Sequence, residues 1–319
     1  MMKRSLLALA VGSLSLSAYA GSVEVSGFTD ITYTNATDTS VFLANAEVDV
    51  VGKTDKAMVR IDYDLAIGVN GGTNINAATA NGPADSGIIE QAYFAYTGLP
   101  MVTVLGGVFN NPIGWEAEDA PGMYQITKGQ IWGILDGQTA LYGNNLAGVA
   151  AAVDLMGMGS LTVAGLNDLG LQDNTGTTAL DENSVAAVLN LTPMEGLDLE
   201  AGYVTQQGGA GNVYDINATY SNFGAIIGVE YLGAENAVDS AIGATLNYMI
   251  MDDLGVTVRY ETISWAAAGS ESTTGITGAV SYALAKNLTV LAEYTDLKAL
   301  GGVDGADSDA INLEFVATF

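Results

Sequence analysis

The chain has 319 residues, 36 acidic against 9 basic side chains, and a formal charge of −27. That acidity excludes nucleic acid as a partner, because phosphate contacts need a basic surface. Zero Cys and zero His remove disulfides, thiolate nucleophiles, Ser-His pairs and imidazole ligands for zinc or haem, and with them the enzyme classes that rely on those groups.

At the N-terminus, Lys3-Arg4 precede a short apolar run from Leu6 to Leu16, and Ser17-Ala18-Tyr19-Ala20 ends in a small-x-small site. This pattern predicts a secretory signal peptide over 1–20, cleaved before Gly21, and a mature chain of 21–319. The apolar run is too short to span a bilayer as a helix, and beyond residue 20 no run of about 18 apolar residues follows. Yet 49% of the residues are apolar and the mean hydropathy is +0.29. Apolar content spread by alternation, with no helix-length run, is the signature of a barrel that crosses a membrane by strands.

Period-two runs predict sixteen strands: 22–35, 40–51, 56–69, 88–97, 101–109, 146–156, 160–167, 183–192, 197–206, 213–221, 223–232, 239–249, 255–264, 273–284, 288–296 and 308–319. Alternation is poor in the fourth to sixth, so fourteen or eighteen strands also fit. Every second connection is tight, at 52–55, 98–100, 157–159, 192–196, 222, 251–254 and 285–287. Most others are longer, at 70–87, 110–145, 168–182, 265–272 and 297–307, although 36–39 and 207–212 are short. Short turns at one rim and long loops at the other give an all-β, antiparallel, up-and-down transmembrane barrel, closed so that no sheet edge meets lipid. Ten residues tilted at about 45° cover roughly 23 Å, close to the apolar thickness of an outer membrane.

The alternation also assigns faces. Val59, Ile61, Tyr63, Leu65 and Ile67 oppose Arg60, Asp62 and Asp64; Ile216, Ala218 and Tyr220 oppose Asp215, Asn217 and Thr219; Val256, Val258 and Tyr260 oppose Thr257, Arg259 and Glu261. A charge facing lipid at mid-depth costs about 2–4 kcal/mol, so the charged face is expected to line the lumen. That wall then carries Glu24, Asp30, Glu47, Asp49, Asp62, Asp64, Asp198, Glu200, Asp215, Glu230, Glu261, Glu293 and Glu314, with Arg60 and Arg259 as its bases. The two arginines are expected to neutralise adjacent carboxylates rather than form a solute-binding pair. Tyr33, Tyr63, Tyr203, Tyr231, Tyr260 and Tyr294 fall in the outer half of odd strands. Tyr220, Tyr248, Tyr282 and Phe319 fall at the inner ends of even ones, which predicts two aromatic girdles. Lys53, Lys56 and Lys286 fall in the predicted periplasmic turns.

Ile311-Asn312-Leu313-Glu314-Phe315-Val316-Ala317-Thr318-Phe319 alternates strictly and ends on an aromatic. It resembles the last strand of Gram-negative outer-membrane proteins, the part that their barrel-assembly machinery reads after periplasmic chaperones deliver the chain. The stretch from Gly106-Gly107-Val108-Phe109 through Ile113-Gly114-Trp115-Glu116 to Asp119-Ala120-Pro121 is similar to a segment of the OmpL-like beta-barrel porin family. The resemblance covers the leader, this segment and the last strand. It implies a Gram-negative outer-membrane porin, a water-filled passive diffusion channel for small hydrophilic solutes, assembled as a homotrimer.

In general porins the third outer loop folds back into the barrel, and 110–145 occupies that position after the fifth strand. The resemblance therefore makes Trp115, Glu116, Glu118, Asp119, Tyr124 and Lys128 candidates for the pore constriction; an acidic surface loop over the mouth is the alternative. Trp115, Tyr124 and Trp132 fit packing within the loop better than a sugar track. Few bases oppose the acids, so the expected lumen favours cations. A barrel plugged by 110–145, serving a structural or surface-binding role, is the other reading. Asp304, Asp307 and Asp309 lack a Ca²⁺-loop register and fit a solvated loop. Gly208-Gly209-Ala210-Gly211 is turn chemistry. No cofactor, no metal and no enzymatic activity are expected.

Overall fold

A computed structural model describes residues 21–37, 39–64, 89–136, 145–167, 183–205 and 211–319. The expected leader, residues 65–69 of the third strand and the connections 70–87 and 168–182 lie outside the described residues.

The strands are β1 (Ser22–Ala36), β2 (Thr39–Lys53), β3 (Ala57–Asp64), β4 (Ile89–Leu99), β5 (Val102–Asn110), β6 (Asn145–Asp154), β7 (Gly159–Asn167) and β8 (Asn183–Met194). They continue as β9 (Leu197–Val204), β10 (Val213–Asn222), β11 (Ala225–Ala234), β12 (Val238–Met251), β13 (Leu254–Trp265), β14 (Thr273–Ala285), β15 (Leu288–Lys298) and β16 (Ser308–Thr318). Each pairs antiparallel with its sequence neighbours, and β1 closes the barrel on β16 through pairs from Phe28↔Thr318 to Ala36↔Ala310. The fold is thus a closed sixteen-strand barrel, in the strand count and order that alternation predicts.

The distribution of burial is inside out relative to a soluble protein. Val258 is 50% exposed, whereas Thr257 and Arg259 on either side of it are 3% and 5% exposed. The same inversion recurs at Val59, Ile216, Ile276, Ile311 and Phe315, all exposed, against buried Asp62, Asp215, Thr277, Asn312 and Glu314. Water would penalise such continuous apolar rows; lipid does not, and the outward tyrosines supply the amphipathic rim. Among the outer-half aromatics, Tyr33 packs on Phe42 with ring centroids 4.8 Å apart, and Tyr214 stacks on Tyr231 at 6.0 Å.

The tight connections fall where expected, with one difference. A single-residue turn at Asn222 is too short to reverse the chain, and the structure instead turns through Phe223 (φ 48°) and Gly224 (φ 77°), so β11 starts at Ala225. Positive φ at both central residues matches the twist of the flanking strands. Glycine accommodates that backbone freely, whereas Phe223 holds it while almost fully exposed.

The interior is not acidic all round. β5, β7 and β8 contain no Asp, Glu, Lys or Arg, and β6 has only Asp154 at its end. Their inward side chains, among them Leu105, Phe109, Leu146, Ala150, Ala164, Leu166 and Val188, join a buried apolar cluster with Ile113, Ile131 and Leu135 from the segment that follows β5. An uncharged arc therefore faces an acidic one across the barrel.

Candidate functional site

The segment between β5 and β6 is described through Asp136 and holds one 3-10 turn, Ala120–Gly122, and one short helix, α1 (Gln130–Asp136). Its root is apolar. A Cβ built on Gly202 of β9 would lie 2.1 Å from Ile113 Cγ2, so Ile113 packs where only a glycine leaves room. The same holds at Gly228 of β11, where a built Cβ would lie 2.2 Å from the Trp115 ring. Trp115 is then fixed in both directions: its backbone N–H donates to Glu230 Oε1 at 2.8 Å and its indole N–H to Thr219 Oγ1 at 2.6 Å. Tyr124 lies 6.4 Å from the Trp115 ring, and its carbonyl accepts from Thr257 Oγ1 at 2.9 Å.

Past Trp115 the contacts become ionic. Arg259 of β13 reaches Glu116 at 3.0 Å and Glu261 at 3.2 Å. It also donates to the carbonyls of Thr127 at 2.8 Å and Lys128 at 3.2 Å. Glu116 accepts further from Gln125 Nε2 and the Gly129 N–H. Glu261 accepts from the Ile131 N–H at 3.2 Å, and Glu293 of β15 from the N–H groups of Ile126 at 2.7 Å and Thr127 at 3.0 Å. These inward carboxylates take the place of a sheet partner for the segment's backbone donors, which would otherwise be buried unpaired.

Glu118 and Asp119 occupy different surroundings. Glu118 accepts from Trp132 Nε1 at 3.0 Å, while Lys128 donates to the carbonyls of Ala117 and Glu118 and sits 4.4 Å from the centre of the Trp132 ring. Burial raises the Glu118 carboxyl from 4.5 to about 8, against the opposing pull of Lys128 and the indole N–H. Burial likewise raises Asp119. The Asp119 carboxylate comes close to Glu47 of β2 and Glu90 of β4: one oxygen from each lies within 4.8 Å of the others.

The remaining wall residues are placed as follows. Arg60 clamps Asp62 at 2.6 Å and Asp49 at 2.9 Å; Asp62 also accepts from Gln91, and Asp49 from Ser26. Glu314 accepts from Thr32 at 3.1 Å, and Asn217 donates to both Glu200 and Asp215. Asp64 is half-buried at the end of β3, directly opposite Glu47 in the ladder. Glu24 is exposed at the rim and pairs with Lys53 at 3.4 Å. Asp307, in the loop before β16, pairs with Lys298 at 3.2 Å.

Sequence reasoning missed Glu90. Strict alternation with Gln91, Tyr93 and Ala95 facing inward would turn Glu90 outward. The β3–β4 ladder, however, passes from Asp62↔Gln91 to Tyr63↔Ile89 and skips Glu90. This bulge puts two consecutive residues on the inner face, and Glu90, 8% exposed, accepts from Asn145 Nδ2. Two adjacent polar residues at the start of a poorly alternating strand were the one available signal.

A space that opens to solvent remains beside the segment. It is bounded by Glu24, Lys53 and Thr318 near one rim, by Asp49, Arg60, Tyr93, Leu105 and Phe109 on the wall, and by Trp115, Glu118 and Asp119 on the segment. A family model described as Gram-negative porin matches residues 5–315. The chain is a Gram-negative porin. It shares its barrel with OmpF of Salmonella typhi, solved in complex with daunomycin, at TM-score 0.70 and 13% identity over 94% of this chain and 98% of that one. An OmpT loop-deletion mutant of Vibrio cholerae aligns at TM-score 0.61 and 15% identity, covering 94% and 100% of the two chains. A mutant of Rhodopseudomonas blastica porin aligns at 0.59 and 15%, covering 93% and 100%. At these identities the structures share the fold alone, and no curated protein matches. Family and barrel together make this porin a passive diffusion channel of the outer membrane.

Proposed function

We propose that this porin carries small hydrophilic solutes through a water-filled lumen that prefers cations, and that the segment 110–145 narrows it. The charge of the open space supports the preference. Glu24, Asp49, Asp119, Glu195 and Asp198 border it, whereas its basic lining is Lys53 and Arg60, both already paired with acids. Unneutralised carboxylates in a confined, low-dielectric passage raise the local cation concentration and repel anions.

The constriction rests on Trp115, Glu116, Glu118, Asp119, Tyr124 and Lys128, with Glu47, Asp49, Arg60, Asp62, Asp64 and Glu314 on the facing wall. Arg259, Glu261 and Glu293 hold the segment rather than meet solutes, because its backbone covers them. Export through a cleaved leader at 1–20, delivery by periplasmic chaperones and the barrel-assembly machinery, and a homotrimer in outer-membrane lipid complete the reading, supported by family membership. We read the chain as non-enzymatic, since it has no His and no Cys and belongs to a family of channels.

Liposome swelling with neutral sugars of increasing size tests passage. Rates that fall smoothly with sugar size support a pore, whereas no swelling with the smallest sugar supports the plugged barrel instead.

A further inference from the structure

Most carboxylates inside the barrel have a donor. Glu116 and Glu261 have Arg259, Asp49 and Asp62 have Arg60, Glu293 has two backbone N–H groups. At Glu47, Glu90 and Asp119 the compensation is thinner: Glu90 accepts from Asn145 Nδ2 at 3.3 Å. No basic side chain forms an ion pair with any of the three among the described residues. Glu47 is 1% exposed, and its Oε1 is buried without a hydrogen-bond partner. Asp49, Asp64 and Glu118 around them add negative charge; Arg60, clamped by Asp49 and Asp62, and Lys128, which donates to two carbonyls, attract Asp119 without pairing with it.

We infer that Glu47, Glu90 and Asp119 form a divalent-cation site, of Ca²⁺ type, that clips the tip of the 110–145 segment to the wall at β2 and β4. The geometry suits such an ion. Three carboxylate oxygens within 4.8 Å of one another can be spanned by an ion with oxygen ligands at about 2.3–2.6 Å, whereas Mg²⁺ requires a tighter cage of about 2.0–2.1 Å. The ligands come from separate parts of the fold, two strands and a loop, and Glu90 reaches the group only through the β4 bulge. A bulge that turns an acid towards two other acids, at a buried carboxylate with no donor, has a physical rationale if a cation sits between them. A second triad, Glu47, Asp49 and Asp62, is as compact, but the Arg60 guanidinium already supplies the charge there.

Calorimetric titration of the refolded, metal-free full chain in detergent with CaCl₂ tests the site. The wild type should give a saturable isotherm. Glu47→Gln combined with Glu90→Gln should weaken it by about tenfold or more, and Asp252→Asn in an exposed turn should leave it unchanged. Asp119→Asn, outside the barrel strands, reports on the same site should the double variant fail to fold. No saturable binding by the wild type, or the same affinity in Asp119→Asn, overturns the inference and leaves the three acids sharing protons. Calorimetry reads binding whether or not the barrel conducts, so this inference and the channel reading fail separately.

Discussion

The 110–145 segment meets the barrel in two places that solve the same electrostatic problem differently. Against β11–β15, each carboxylate it approaches is answered by a guanidinium or a backbone N–H. Against β2–β4, Asp119 approaches Glu47 and Glu90 with no basic side chain paired to any of the three among the described residues. The first contact is therefore self-sufficient, and the second depends on something the chain does not provide. One segment can be anchored to a barrel wall by internal pairing at one contact and left with unbalanced charge at another.

Removing Arg259 should break the self-sufficient contact hardest. It is 5% exposed and, among the described residues, the one cation paired with Glu116 and Glu261, so Arg259→Met leaves two buried carboxylates without an ion pair. Breaking such a pair costs about 3–5 kcal/mol. The expected outcome is a lower unfolding midpoint in detergent and a larger, noisier single-channel conductance as the segment loosens. A wild-type midpoint would mean that the segment is not held there.

Gly228→Ala should act on the same contact more mildly. The new methyl would overlap the Trp115 ring, and overpacking of this kind costs about 1–3 kcal/mol. Trp115 then moves into the open space, and the conductance should fall rather than rise. Comparing the two variants separates loosening of the segment from displacement of one ring.

At the under-compensated side, the prediction concerns pH. In the calcium-free protein, burial raises the Glu118 carboxyl to about 8, so it is mostly neutral below that value and mostly charged above. Cation selectivity should increase as pH rises through about 8, and Glu118→Gln should remove that step. An identical pH profile in the variant would assign the step to another group. The smallest effect is expected at the rim: Lys298 and Asp307 form an exposed pair, and Asp307→Asn should leave both the unfolding midpoint and the selectivity unchanged, as exposed pairs are screened by solvent.

How much of this was legible in the sequence follows from the physics of each part. β13 and β16 announce themselves because a side-chain period of two between lipid and water is unambiguous, as in Val256-Thr257-Val258-Arg259-Tyr260-Glu261. β5 and β6 do not, because residues such as Leu105 and Ala150 are apolar on the inner face too, in one buried cluster with Ile113 and Leu135. When both faces are apolar, alternation vanishes even though the strand is regular. Glu90 was hidden for a different reason: a bulge shifts parity by one, and parity was the sole guide to its direction. The segment's residues were legible as a group through the family resemblance. Their individual partners were not, because contacts such as Trp115 with Glu230 join positions 115 residues apart.

The account depends most on carboxylates that border the open lumen without matching bases. The zero-current potential of single channels in a planar bilayer, under a KCl gradient at neutral pH, measures that directly. The potential should take the sign set by K⁺ permeating faster than Cl⁻, and it should shrink in Asp119→Asn. A potential of zero, or one of the opposite sign, would contradict it.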